Sequence, residues 1–114
     1  MGFDVKNIED KPEIAIVYLK GRLDVHYSSE VETQINKLIS EGKKKLVISL
    51  NDVEYLSSSG LRIFIAISRT LKEVNGQLKL IKLNETARKI FKIVELIDMF
   101  DIYESEEEAI NSFM

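Results

Sequence analysis

Two apolar patterns alternate along the chain. Short runs of β-branched residues and leucine are separated by longer stretches in which apolar positions fall three and four apart. "FDVKNI" reads as a short edge strand ahead of the charged break "EDKPE", which holds the only proline, Pro12. "IAIVYLKG" reads as a buried strand and "GRLDVHYSS" as a turn and loop. Ser29 with Glu32 has the spacing of a capping box, and Val31, Ile35, Leu38 and Ile39 form the stripe of the helix it opens, which Gly42 stops. "KKKLVISL" is apolar on both faces, as a central strand should be. "NDVEYLSSSG" reads as a loop, followed by a helix from about Ser58 to Asn75 that Gly76 stops. "QLKLIKL" is a further strand, and Asn84 can cap a helix through "ETARKIFKIVEL". "DIYES" is a short strand or turn, and Ser105 with Glu108 opens a last helix carrying Ala109, Ile110 and Phe113. Strands alternating with helices predict an α/β fold: one domain over residues 1–114, a central mixed, partly parallel sheet of about four or five strands, and about four helices packed on it.

Composition narrows the function. A chain of 114 residues, 45% apolar and 31% charged, has enough material for one soluble core. Its net charge of −3 comes from acids and bases mixed along the chain, which argues against a nucleic-acid or anionic-membrane partner. With no cysteine and one histidine, neither a disulfide nor a thiolate or histidine metal site is expected, and no cofactor is called for. The start "MGFDVKNIED" is too acidic for a signal peptide, and Lys6 stands where myristoylation of Gly2 favours serine or threonine, so a cytoplasmic location is expected.

The candidate chemistry lies in "YLSSSGLRIF", residues 55–64. A helix start needs one serine as a cap, worth ~1 kcal/mol. Gly60 inside the first turn costs up to ~1 kcal/mol against alanine, which close approach of another backbone, a ligand or a partner would offset. A helix N-terminus offers free N–H donors to an anion such as phosphate. A serine hydrolase would need a base beside its nucleophile. The "GxSxG" elbow is absent, although Ser59, His26 and Asp24 are available in composition. A P-loop would need lysine after the glycine, where Leu61 stands. A serine that receives phosphate from another protein needs only an accessible hydroxyl, because the kinase brings base and metal.

At these residues the sequence resembles the bacterial STAS-domain anti-sigma factor antagonists. "GRLDVHYSSEVE" is similar to the family's Gly-x-Leu-Asp stretch, "KKLVISLNDVEYLSSSGLRIF" to its central strand and phosphorylation loop, and the segment from "NGQLKLIKL" to "EEEAI" to its C-terminal half. The resemblance implies a regulator rather than an enzyme. Its unphosphorylated form would bind an anti-sigma factor that is also a serine kinase, and so release a sigma factor. Phosphorylation with the kinase's ATP and magnesium would break the complex, and a serine phosphatase would reset it. By the same resemblance Ser59, directly before Gly60, is the acceptor, Ser58 precedes it, and Asp24 matches an aspartate near the acceptor. Ser57 stands where the family commonly has aspartate. Either residue can cap a helix, so the fold should survive the exchange, while Ser57 and Ser58 become competing hydroxyls. Gly60 is expected to clear space for the partner, and Leu61 and Arg62 to touch it. A regulatory or scaffolding module outside this phosphorylation control is the alternative, and the hydrolase built on Ser59, His26 and Asp24 is a third.

Overall fold

The computed structural model describes residues 2–113. Their strands are β1 (Gly2–Ile8), β2 (Lys11–Leu23), β3 (Lys45–Leu56), β4 (Gln77–Ile81) and β5 (Asp101–Tyr103). The helices are α1 (Val25–Ser40), α2 (Ser58–Glu73), α3 (Glu85–Ile93) and α4 (Glu106–Asn111), with a 3₁₀ turn at Ile97–Met99. The strands form one sheet in the order β1-β2-β3-β4-β5. β1 runs antiparallel to β2, and every later neighbour pair is parallel, so the sheet is mixed and partly parallel as expected.

Alternation along the central strands divides the molecule into two apolar layers. Ala15, Val17 and Leu19 of β2, Leu46, Ile48 and Leu50 of β3, and Leu78 and Leu80 of β4 pack on one face beneath α1, α2 and α3. Phe64 and Phe91, both fully buried, meet in that layer with ring centroids 5.9 Å apart and planes tilted by 42°. The opposite face turns Ile16, Val47 and Ile81 toward Ala109 of α4. The central strands therefore need apolar residues on both sides, which is why "KLVISL" shows no polar alternation.

Several boundaries differ from the sequence reading. β2 continues through "GRL", and α1 begins at once behind it, capped by Asp24 rather than Ser29: the Asp24 carboxylate accepts from Tyr27 N at 3.0 Å. Ser29 and Glu32 lie inside the helix. β3 likewise continues through "NDVEYL", which is strand and not loop. The β2–β3 ladder slips between Tyr18 and Lys20 and again between Gly21 and Arg22, each time leaving an extra residue in β3. Such bulges break the alternation and hide the strand. The Asn84 side chain braces this stretch: its Nδ2 donates to the carbonyls of Leu50, Asn51 and Val53, while its Oδ1 accepts from Ala87 N and caps α3 as expected. α3 ends at Ile93, where Glu95 takes a φ of 60° and Leu96 N returns to Phe91 O, so "VEL" is excluded from the helix.

α4 has only 6 residues and is held by polar anchors as well as by the apolar contacts of Ala109. Ser105 caps it by accepting from Glu108 N, the expected capping box. The Tyr18 hydroxyl donates to the Glu106 carboxylate at 2.6 Å, and Lys6 approaches the same group at 3.3 Å. Burial, then the hydrogen bond to Glu106 and its charge, push the Tyr18 phenol up to about 12. Burial alone would raise the Glu106 pKa, but the hydrogen bonds from Tyr18 and Lys6 and the charges of Lys6 and Lys82 outweigh it and hold the group below its ordinary value. A carboxylate depressed in the folded state stabilises fully above its unfolded pKa, and that contribution is lost as pH falls through the folded value. Tyr18→Phe is therefore expected to lose about 1 kcal/mol at neutral pH. In urea titrations the gap to wild type should close as pH falls below the ordinary carboxylate range. A gap independent of pH would show that the Tyr18–Glu106 bond does not hold α4.

Candidate functional site

The site forms where two parallel strands end together. Leu23 and Leu56 are register partners at the C-terminal ends of β2 and β3, and each is followed by a helix N-cap, Asp24 for α1 and Ser57 for α2. The serine loop thus lies at the edge where an open α/β sheet commonly places its ligands. The Leu23 carbonyl joins the two turns. It accepts from Ser57 N at 3.2 Å and from Ser57 Oγ at 3.1 Å. Ser57 Oγ in turn accepts from Gly60 N at 3.0 Å, so one hydroxyl caps α2 and ties it to β2.

Gly60 has an internal role: of the close approaches considered for it, the structure shows that of another backbone. A Cβ at this position would lie 2.5 Å from the Leu23 carbonyl oxygen and 3.1 and 3.2 Å from the Leu23 and Leu56 side chains. The glycine lets the first turn of α2 sit directly on the end of β2. Leu61 is likewise turned inward, 3% exposed and part of the core, so it presents nothing to a partner. Ser58 and Arg62 are exposed. Ser59 takes its backbone position between Ser58 and Gly60 in the first turn of α2; its side chain lies outside the described residues.

The structure also puts two of the roles considered for the loop on one serine. Ser57 is the capping serine and occupies the usual aspartate position at the same time. The Asp24 carboxylate is engaged with Tyr27 N, while His26 is an exposed residue of the first turn of α1. Among the described residues no hydrogen bond joins Asp24 to His26, the contact on which a hydrolase reading depends. No group of acids and histidine suited to a metal ion occurs among the described residues, and no described helix is long and apolar enough to cross a membrane.

The sequence reading missed two neighbours of the loop. Arg22 and Tyr55, register partners one residue before the leucines, stack with the guanidinium carbon 4.3 Å from the ring centroid. Lys20, Gly21, Arg22, Asp24 and Glu54 line a groove of about 400 Å³ beside them. Reading residues 51–56 as a loop concealed the pair. The signal available was the aromatic Tyr55 between apolar Val53 and Leu56.

A mixed sheet whose serine loop opens a helix at the C-terminal edge defines a small α/β domain, and comparison with known proteins gives its family. The chain belongs to the STAS domain family, whose family model matches residues 5–109. Its relatives there are anti-sigma factor antagonists. It is 32% identical to the anti-sigma-B factor antagonist of Bacillus subtilis (strain 168), over 94% of this chain and 94% of that one. It is 25% identical to the anti-sigma-B factor antagonist of Staphylococcus aureus (strain NCTC 8325 / PS 47), over 80% of this chain and 84% of that one. Among solved structures it resembles the anti-sigma factor antagonist SpoIIAA in its unphosphorylated form, with a TM-score of 0.83, 25% identity, and 98% and 96% of the two chains covered. The fold also matches SpoIIAA of Bacillus in the phosphorylated form, with a TM-score of 0.75 at 23% identity over 99% and 100% of the chains.

Two substitutions test the junction. Gly60→Ala should cost about 1–3 kcal/mol, because the new methyl group meets a backbone carbonyl that cannot move without shifting β2. Equal urea midpoints for Gly60→Ala and wild type would contradict the close approach. At Ser57 the expected order of stability is wild type, then Ser57→Asp, then Ser57→Ala. Alanine loses the cap, worth ~1 kcal/mol. Aspartate keeps the acceptor for Gly60 N but cannot donate to the Leu23 carbonyl. Chemical denaturation of the three proteins checks the order, and Ser57→Asp at or above wild type would show that the donated bond contributes nothing.

Proposed function

We propose that the protein is an anti-sigma factor antagonist switched by phosphorylation of Ser59. In its unphosphorylated form it binds an anti-sigma factor that is also a serine kinase, and this releases a sigma factor for transcription. The kinase transfers phosphate from ATP, with magnesium, to Ser59, the complex dissociates, and a serine phosphatase restores the binding form in the cytoplasm. The protein acts by binding and catalyses nothing itself. The observation that carries this reading is the division of labour in the loop: Ser57 caps α2 and Gly60 packs inward on the end of β2, so the helix start has its cap and its packing from these two residues.

The physics of the modification supports a switch that spares the fold. Phosphate adds about −1.5 to −2 charges at neutral pH. At the start of α2 these meet a helix N-terminus, which favours negative charge. The penalty falls on the partner, whose surface fits a small neutral hydroxyl and must then accept a bulky dianion. A partner carboxylate ~4 Å away costs up to ~4 kcal/mol per unit charge at an effective dielectric of about 20. Even ~3 kcal/mol of net loss weakens binding more than ~100-fold. Exposed Ser58 is the competing hydroxyl, whereas the Ser57 hydroxyl is occupied on both sides.

Incubation with the cognate kinase and ATP, followed by mass spectrometric mapping, should place one phosphate on Ser59 and none on Ser59→Ala. Undiminished labelling of Ser59→Ala would move the acceptor to Ser58 or Ser57. No labelling of wild type would remove phosphorylation from the account and favour a regulatory module controlled in another way.

A further inference from the structure

We propose that the stacked pair Arg22–Tyr55 is the specificity anchor of the partner-binding surface, and that it selects an anti-sigma factor presenting a carboxylate over an apolar contact. This rests on the functional reading above and adds the chemistry of the partner's side.

The pair has the features of a binding anchor rather than of a structural contact. Tyr55 is 40% exposed although it lies on a strand between buried Val53 and Leu56. Large apolar side chains in such a position are left uncovered by the domain's own layers. Arg22 is exposed as well. Its guanidinium carbon lies over the Tyr55 ring, 4.3 Å from the centroid, and stacking of this kind restrains a long side chain while leaving its N–H donors available. Among the described residues Arg22 forms neither a salt bridge nor a side-chain hydrogen bond, although Asp24 and Glu54 line the same groove. Asp24 is engaged with the α1 N-terminus, so its charge is already partly answered.

A guanidinium held in place with its donors free matches a carboxylate, which it can bind through two parallel bonds. The second cation of the groove, Lys20, also enters no ion pair among the described residues and adds to the same preference. Beside the guanidinium the exposed tyrosine ring supplies the apolar contact. Tyrosine and arginine are the residue types that dominate binding energy at protein interfaces. Position completes the argument: Arg22 and Tyr55 directly precede Leu23 and Leu56, the residues from which both helix caps depart. The pair thus stands at the same end of the sheet as the N-termini of α1 and α2.

The test is calorimetric titration of the cognate anti-sigma kinase with the full-length wild type and with Tyr55→Ala, Tyr55→Phe, Arg22→Lys, Arg22→Glu and Ile93→Ser. Ile93, 68% exposed at the far end of α3, is the control. Tyr55→Ala and Arg22→Glu should each weaken binding at least tenfold, with circular dichroism and urea midpoints close to wild type. Tyr55→Phe and Ile93→Ser should bind as wild type does, and Arg22→Lys should fall between. The Arg22→Glu defect should also shrink as salt is raised. Affinities within twofold of wild type for both Tyr55→Ala and Arg22→Glu would overturn the anchor while leaving the phosphorylation switch intact. Tighter binding by Arg22→Glu would reverse the charge assigned to the partner. Failure of wild type itself to bind would overturn the functional reading, and this inference with it.

Discussion

The Leu23 carbonyl is the point on which the rest of the site depends. It ends β2, accepts two bonds from Ser57, and sits against Gly60 so closely that no side chain fits between them. Because Leu23 pairs with Leu56, this one contact fixes the start of α2 relative to the start of α1. The two strands run past the end of β4 to reach that junction, and the bulges that make room for the extra β3 residues free carbonyls that Asn84 collects. The serine loop is therefore held by strand, helix and side-chain bonds at once.

A loop held in this way suits a switch. The needs of the α2 N-terminus are met by Ser57 and by close packing at Gly60. Under the proposed function, phosphate on the loop would add charge at the start of α2 while Ser57 and Gly60 keep its cap and packing. The same economy explains why Leu61 turns inward and Arg62 outward: the first turn contributes to the hydrophobic layer on one side and to the surface on the other. Relatives named as anti-sigma factor antagonists share this frame over nearly the whole chain.

Much of the fold was legible in the sequence because burial on two faces leaves continuous apolar runs, as in "KLVISL", and because Asn84 and Ser105 are short polar residues at sites where only a cap makes sense. The end of β3 was not legible. Its bulges put Val53 and Leu56 inside at a spacing of three, and polar Asn51, Asp52 and Glu54 imitate a loop. The start of α1 was missed for a related reason: Asp24 caps without a capping-box partner, while Ser29 and Glu32 have the right spacing but lie within the helix. At the site, the sequence singled out the serine and glycine positions, yet their division of labour required geometry. Composition gives no means of telling that Gly60 yields to the Leu23 backbone rather than to a partner, or that the Ser57 hydroxyl works in two directions.

The central claim is that phosphate on the serine loop breaks an interface and leaves the domain folded. The direct measurement is the affinity of the cognate anti-sigma kinase for the unphosphorylated protein and for the stoichiometric phosphoprotein, by calorimetry, with the circular dichroism and urea midpoint of each protein recorded in parallel. The account predicts a loss of affinity of at least about 100-fold with unchanged ellipticity and an equal or slightly higher midpoint. Equal affinities, or a loss of binding accompanied by a loss of structure, would contradict it.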